Sequence, residues 1–387
     1  MANTVVKATP DVISKFFLEI FKNNLVFAPR VTRKYEVEIM SPKKTGGVVN
    51  IKKPLYTQSA EGATLVKQTF SDQLIQVEID RHRHVGLETG IVNKTLSIDD
   101  LIREIKASAV ELAHQVENSV AELYKDIPNV TGTAATTPAS FEAFANVNAE
   151  LSRLAVPVDG RKLAIDPAAE VKAATFLTGF NNAPMVESAV RDMAVGRIGG
   201  MTVHMSQNVK AHTAGTGASY QVAGTNQGVD GTIAIDTGSG TFLTGDVITI
   251  AGVNSVNPVS REDTGVTRKF VITADSGASP SSISISPSVI TSGANQNVSN
   301  AIPDDAAITL VASHRANLAF TEDTFALAMV QPERPASAKF WSTASEDGFV
   351  ITLSQDYDIH EYSEIMRFDV MWGVKTLRPD TGVRLLG

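Results

Sequence analysis

The stretch SIDDLIREIKASAVELAHQVENSVAELYK, residues 97–125, sets the architecture, and the segments on either side take their meaning from it. Ile98, Leu101, Ile102, Ile105, Ala109, Leu112, Val116, Val120 and Leu123 recur every three or four residues, the spacing of one helix face. Ser97 followed three residues later by Asp100 is a capping arrangement, and Pro128 closes the segment. A helix of this length runs to about 40 Å, a strut longer than most globular helices.

Upstream, a helix is expected from about Thr9 to Asn24. Thr9 caps it, Pro10 sits at a first-turn position and Asp11 complements the dipole. Val12, Ile13, Phe16, Phe17, Ile20 and Phe21 make its apolar face, and Lys15, Glu19 and Lys22 join Asp11 on the other. Such a face packs on its own domain or, as an arm, on a neighbouring molecule; Phe16, Phe17 and Phe21 are the candidate contacts in the second case. A long hairpin follows. Tyr35, Val37 and Ile39 alternate with charged residues, residues 41–47 are turn chemistry, and strand text resumes at Val48–Ile51 and over Ile75, Val77 and Ile79 up to Gly86. Lys43, Lys44, Lys52 and Lys53 cluster on this hairpin and Arg81 and Arg83 follow it. They form either a solvated face or a contact to an acidic neighbour.

Downstream, helix is expected over residues 141–155, a buried strand at Lys162–Ile165, a helix from Asp166-Pro167 through Leu177, and another over residues 186–194. Composition shifts near Ser206. From there to about Ser313, short apolar alternations such as Val247-Ile248-Thr249-Ile250 and Phe270-Val271-Ile272-Thr273 are separated by Gly, Ser, Asn and Asp. They predict a small antiparallel β-barrel or sandwich of roughly 100 residues, inserted in a larger α+β body. Strands return at Gly348–Leu353 and over Met366–Val374, stopping at Leu377-Arg378-Pro379.

The 387 residues suffice for two or three packed units. Cysteine is absent, which removes disulfides, thiolate metal sites and cysteine nucleophiles, and suits a reducing cytoplasm. A net charge of −8 argues against a protein whose main task is gripping nucleic acid. No signal-peptide pattern and no apolar run of membrane-spanning length is read.

Motifs that carry chemistry are missing: there is no P-loop, nucleophile elbow, dinucleotide fingerprint or zincin pair. Gly215-Thr216-Gly217 and Gly238-Ser239-Gly240 fit turns. His82 and His84 share a strand face, yet two imidazoles without a third ligand favour a solvent-facing pair over a metal site. Asp304-Asp305 and Asp356/Asp358 read as loop acids. No catalytic residue, cofactor site or metal site is therefore assigned.

The order of arm, hairpin, long helix, interrupted α+β body and closing strands resembles the capsid fold of tailed phages and herpesviruses. It is most similar to short-tailed-phage coat proteins with an inserted β-barrel. The strings that carry this are Met205-Ser206-Gln207-Asn208, Ile250-Ala251-Gly252-Val253 with Asn257-Pro258 and Thr264-Gly265, residues 270–275, Asn317-Leu318-Ala319-Phe320 with Phe325-Ala326-Leu327-Ala328, and residues 372–379.

The resemblance implies an N-terminal arm (1–30), an extended loop (31–92) lying over a neighbouring subunit, a peripheral domain with the spine helix (93–160), and an axial domain in two parts (161–205 and 314–345). The inserted barrel (206–313) touches neighbours across local two-folds, and closing strands of the peripheral domain take residues 346–387. It implies a major capsid protein, without enzymatic activity, that self-assembles as hexamers and pentamers of an icosahedral shell around double-stranded DNA bound without sequence specificity. Scaffolding and portal proteins, and possible decoration proteins, are the implied partners, with no membrane. The implied location is the virion capsid, assembled in the host bacterial cytoplasm. Gly199-Gly200 is expected to be a joint that flexes between the two subunit positions. A β-rich adhesin or tail-type binding protein and an unrecognised hydrolase are the competing readings.

Overall fold

Alternating and helical apolar patterns sort the chain into two units in a computed structural model, which describes residues 10–33, 48–52, 74–90, 98–177, 195–225, 227–336, 340–361 and 363–387. One unit draws on Met1–Ile51, Leu74–Val120 and Phe325–Lys375, the other on Lys52–Gln73, Ala121–Thr324 and Thr376–Gly387.

The first unit contains helices α1 (Pro10–Asn23) and most of α2 (Ile98–Ala121). A two-stranded ribbon pairs β1 (Val48–Lys52) with β2 (Leu74–Glu78). A five-stranded sheet has the order β16 (Phe325–Val330), β19 (Ser363–Thr376), β18 (Phe349–Asp358), β17 (Phe340–Glu346), with β3 (Arg81–Gly90) also on β19. Period-two alternation puts Met366, Phe368, Val370 and Trp372 on one side of β19, and all four are buried. Helix α1 supplies their cover. The Phe17 ring stacks on Phe368 with centroids 4.1 Å apart, and Phe21 meets Phe349 edge-on at 6.1 Å.

The expected single strand over residues 75–86 is two strands, β2 and β3, separated by Ile79 and Asp80. At the break the backbone of Glu78 and Ile79 passes close to β19 at Gly373, where a Cβ would lie 2.1 Å from the Glu78 carbonyl oxygen.

On α2, the stripe Ile105, Ala109, Leu112, Val116 and Val120 is buried as its spacing predicts. Glu117 is buried on the same helix. Its carboxylate accepts the backbone N–H groups of Phe27 and Ala28, each at 2.8 Å, at the start of a 3-10 turn (Ala28–Arg30). Burial pushes this carboxyl up and the N–H groups resist that shift.

The second unit holds a seven-stranded sheet. Its order is β4 (Val130–Thr131), β20 (Val383–Leu386), β15 (His314–Phe320), β5 (Lys162–Ile165), β7 (Met201–Met205), β6 (Arg197–Ile198), with β8 (Ala211–His212) also on β15. Helices α3 (Phe141–Arg153) and α4 (Pro167–Leu177) bury Phe144, Val147, Leu151, Ala169 and Ala173 with Leu163, Ile165 and Leu385 of the sheet. Ser140 caps α3 through the Ala143 N–H, and Asp166 receives the Ala169 N–H at the head of α4.

The insertion is a barrel of six strands: β14 (Ile308–Leu310), β11 (Val247–Val256), β12 (Asp263–Ile272), β13 (Ser282–Ser286), β10 (Thr232–Asp236) and β9 (Gln221–Val222). It closes where Gln221 bridges Ala307 and the Ile308 N–H reaches the Tyr220 carbonyl at 2.9 Å. Alternation turns Ile233, Ile235, Ile248, Ile250, Phe270, Ile272, Ile283 and Ile285 inward, so side chains fill the lumen. Gly238 packs beneath Tyr220, whose ring a Cβ would meet at 2.3 Å. That explains one of the glycine motifs without a ligand.

Residues 325–330 pair within the first unit's sheet and 376–387 return to the second unit, so the expected boundary at 346 falls inside the first unit. The tail does so because its apolar strand β20 pairs with β15. Gly199 and Gly200, both at positive φ, form the two-residue turn between β6 and β7. The helix expected at 186–194, the hairpin arm at 35–39 and the cap at Ser97 lie outside the described residues.

Candidate functional site: the neck of the inserted barrel

The chain enters the barrel along β8 and leaves it along β15, and these two strands pair with each other, His212 opposite His314 and Arg315 opposite Ala211. The Ala316 N–H donates to the Lys210 carbonyl at 2.9 Å, which extends the pairing beyond β8. The two crossings thus form one neck.

Around the neck is a set of buried polar groups. Arg384 stands on β20, all four residues of which are buried. Its guanidinium donates from Nε to the Ile127 carbonyl at 2.8 Å, from Nη1 to Gly245 at 2.9 Å and from Nη2 to Lys125 at 3.2 Å. The Lys125 and Ile127 carbonyls lie at the C-terminal end of the 3-10 turn Glu122–Asp126 that follows α2, and carbonyls at such an end favour a cation. The Gly245 carbonyl belongs to the barrel, so one side chain grips both. Burial lowers the Arg384 pKa to about 10, which leaves it charged at neutral pH.

Asp246, also fully buried, supplies the negative charge. It accepts His212 Nε2 at 2.8 Å, the Leu243 N–H at 2.8 Å and the Gly215 N–H at 3.1 Å. His212 Nδ1 lies 3.0 Å from the Tyr124 hydroxyl. With Nε2–H donating to the carboxylate, Nδ1 is the acceptor and the tyrosine the donor.

Beside the neck, β12 is tied to the body by adjacent cations. Arg268 Nη2 reaches Asp380 at 2.8 Å, while Lys269 Nζ reaches Glu150 at 2.9 Å and the Val130 carbonyl at 2.6 Å. Burial acts to raise the Glu150 pKa, but Lys269 and Arg153 outweigh it and the carboxyl is held below its ordinary range. Asn257 Nδ2 adds a bond to the Arg153 carbonyl at 3.0 Å. These groups hold a barrel in place. They contain no nucleophile with a base and an open position for a substrate.

The contact candidates fall in different settings. Phe17 and Phe21 are fully buried within their own unit, so their rings are unavailable to a neighbour, whereas Phe16 is half-buried. An amphipathic pattern cannot say whose core it completes. Lys52 and Arg83 are exposed, and Arg81 is half-buried beside Asp80. Lys43, Lys44 and Lys53 lie outside the described residues. His82 Nε2 donates to Asp369 at 2.7 Å while His84 is exposed, and among the described residues no three acidic or histidine side chains converge as a metal site would need. Asp304 receives the Gly224 N–H in a loop, whereas Asp356 and Asp358, expected in a loop, stand at the end of β18 and receive the N–H groups of Tyr357 and His360.

The neck residues 124, 212, 246, 314 and 384, and the pairs at 268 and 269, were not singled out from the sequence. One signal was available: a lone arginine in the apolar run Val383-Arg384-Leu385-Leu386.

A phage coat-protein family model that matches the whole chain places it among the structural subunits of virion capsids. The family model described as "P22 coat protein - gene protein 5" matches residues 1–387, and the chain belongs to that family. It is a major capsid protein. A structure from Mycobacterium phage Che8 is similar at TM-score 0.47 and 15% identity, covering 94% of this chain and 89% of the other. The capsid of the Cyanophage P-SCSP1u is similar at TM-score 0.46 and 11% identity, over 93% and 87%. The CUS-3 coat protein I-domain is 30% identical over 24% of this chain and 94% of its own length, at TM-score 0.19. No curated protein matches the chain.

Proposed function

We propose that copies of this chain assemble as the hexamers and pentamers of an icosahedral shell around double-stranded DNA, with the inserted barrel bracing each subunit. The observation that carries this reading is the match to a coat-protein family over all 387 residues. The chain's net charge of −8 supports holding DNA without specific binding, because tight phosphate neutralisation needs a basic surface. Subunit contacts in this reading run through the extended loop of residues 31–92, with Lys43, Lys44, Lys52, Lys53, Arg81 and Arg83, and through the half-buried Phe16 of the arm. Phe17 and Phe21 serve the fold itself. Many modest interfaces add up to a stable shell while each stays reversible during assembly. Scaffolding and portal proteins take part, decoration proteins bind the outside, and the work of the chain is mechanical rather than catalytic. The absence of cysteine suits assembly in the reducing host cytoplasm.

The test is sedimentation velocity of the purified chain, alone and co-expressed with a phage scaffolding protein. Discrete particles of shell mass support the reading. A monomer under all conditions, or a small soluble oligomer of one size, defeats it.

A further inference from the structure

One of the two residue pairs across the neck, His212 opposite His314, is made of two histidines. The rings of His212 and His314 lie 5.3 Å apart, and each residue is buried. His314 Nδ1 lies 2.8 Å from the Ala312 carbonyl, which fixes the proton on Nδ1. Its Nε2 is a bare lone pair, buried and without a hydrogen-bond partner.

The charged and titratable groups facing that ring come from every element around it. His212 stands on β8, already engaged by Asp246 and Tyr124. Arg384 on β20 adds a permanent positive charge, and Asp246, ahead of β11, is occupied by three donors. A proton on Nε2 would enter a closed pocket with a cation nearby and no free acceptor. Burial lowers the His314 pKa most. The Ala312 carbonyl and the Asp246 charge oppose it, Arg384 and His212 add to the lowering, and the result is about 4.

The two sides of the neck have separate cores. The barrel holds its own cluster from Tyr220 to Ile308, and the body another from Phe144 to Leu385. Val130, Val247, Val271 and Leu386 form a much smaller buried cluster shared between them. Polar ties therefore carry much of the docking.

We propose that His314 is an acid-operated bolt: a proton on its Nε2 parts β8 from β15 and opens the neck of the inserted barrel, while barrel and body each keep their own core. The sign follows from linkage. The closed neck holds the ring neutral and the open neck lets it titrate normally, so the open form binds more protons. Closure is complete above the ordinary value of 6.5 and weakens as pH falls toward about 4. The opening constant rises about tenfold per pH unit in that window, roughly 300-fold across it.

Hydrogen exchange of the full chain, corrected for intrinsic rates, tests this at pH 7.5 and 5.0 in wild type, His314→Gln and His314→Phe. In wild type the amides of residues 211–216 and 312–316 lose protection at pH 5.0 while those of β11 and β12 keep theirs. The variant that folds shows no such pH response. Equal protection of the neck in wild type at both pH values overturns the proposal. So does an unchanged pH response in the variant, or simultaneous loss in β11 and β12.

Discussion

Lys269 on the barrel strand β12 and Glu150 on helix α3 meet at 2.9 Å with both side chains largely removed from solvent, an ion pair that joins the insertion to the body. Removing one member leaves the other charge buried. Lys269→Met is expected to cost about 2–3 kcal/mol, below the full value for a stranded charge because Arg153 still pairs with Glu150. The double variant Lys269→Met/Glu150→Leu recovers most of that loss, since two apolar side chains need no partner. Urea unfolding of the three proteins gives the comparison, and a double variant as unstable as the single one contradicts it.

Arg384 satisfies three carbonyls with one rigid fork. A lysine keeps the charge but not the fork. Arg384→Lys is expected to lose about 2 kcal/mol and Arg384→Met at least about 3 kcal/mol, since three buried acceptors then lack donors. Thermal unfolding should rank them wild type, lysine, methionine. A methionine variant as stable as wild type would show that the guanidinium does not hold the neck.

Glu117 caps the turn that follows α1. Glu117→Ala orphans the Phe27 and Ala28 N–H groups and is expected to cost about 2–3 kcal/mol. The pH dependence has a definite sign. Its folded pKa lies above the ordinary 4.5, so its stabilising contribution is complete below that value and is lost as pH rises through the folded pKa. The stability gap between wild type and Glu117→Gln therefore narrows from pH 4.5 upward. Urea midpoints at pH 4.5 and 7.5 measure it, and a gap that widens refutes the assignment.

Gly373 and Gly86 make a matched pair on neighbouring strands. A Cβ at 373 would collide with the Glu78 backbone, while one at 86 meets nothing within 4 Å. Gly373→Ala is expected to destabilise by more than about 2 kcal/mol and Gly86→Ala to stay within about 0.5 kcal/mol. Similar melting temperatures for the two variants would contradict the close approach.

Much of the fold could be read before the structure because it is written in local periodicity. The stripe from Ile105 to Val120, the strand Lys162–Ile165 and the helix Pro167–Leu177 each announce themselves within a dozen residues. The barrel showed itself through strand spacing, though not through its closure, which depends on Gln221 meeting Ala307. The neck stayed hidden for the same reason. Tyr124, His212, Asp246, His314 and Arg384 are far apart in sequence and come together only when β8, β15 and β20 share a sheet. The arm shows the opposite limit, where the pattern in Phe17 and Phe21 was plain but its partner, Phe368 and Phe349, was not.

Electron cryo-microscopy of particles formed by the expressed chain tests the central claim most directly. The account predicts closed icosahedral shells in which density for this subunit occupies both hexamer and pentamer positions, with the inserted barrel seated on the body through Lys269 and Arg384. Particles built from another protein with this chain absent from the shell, or a chain that never leaves the monomeric state, would contradict it.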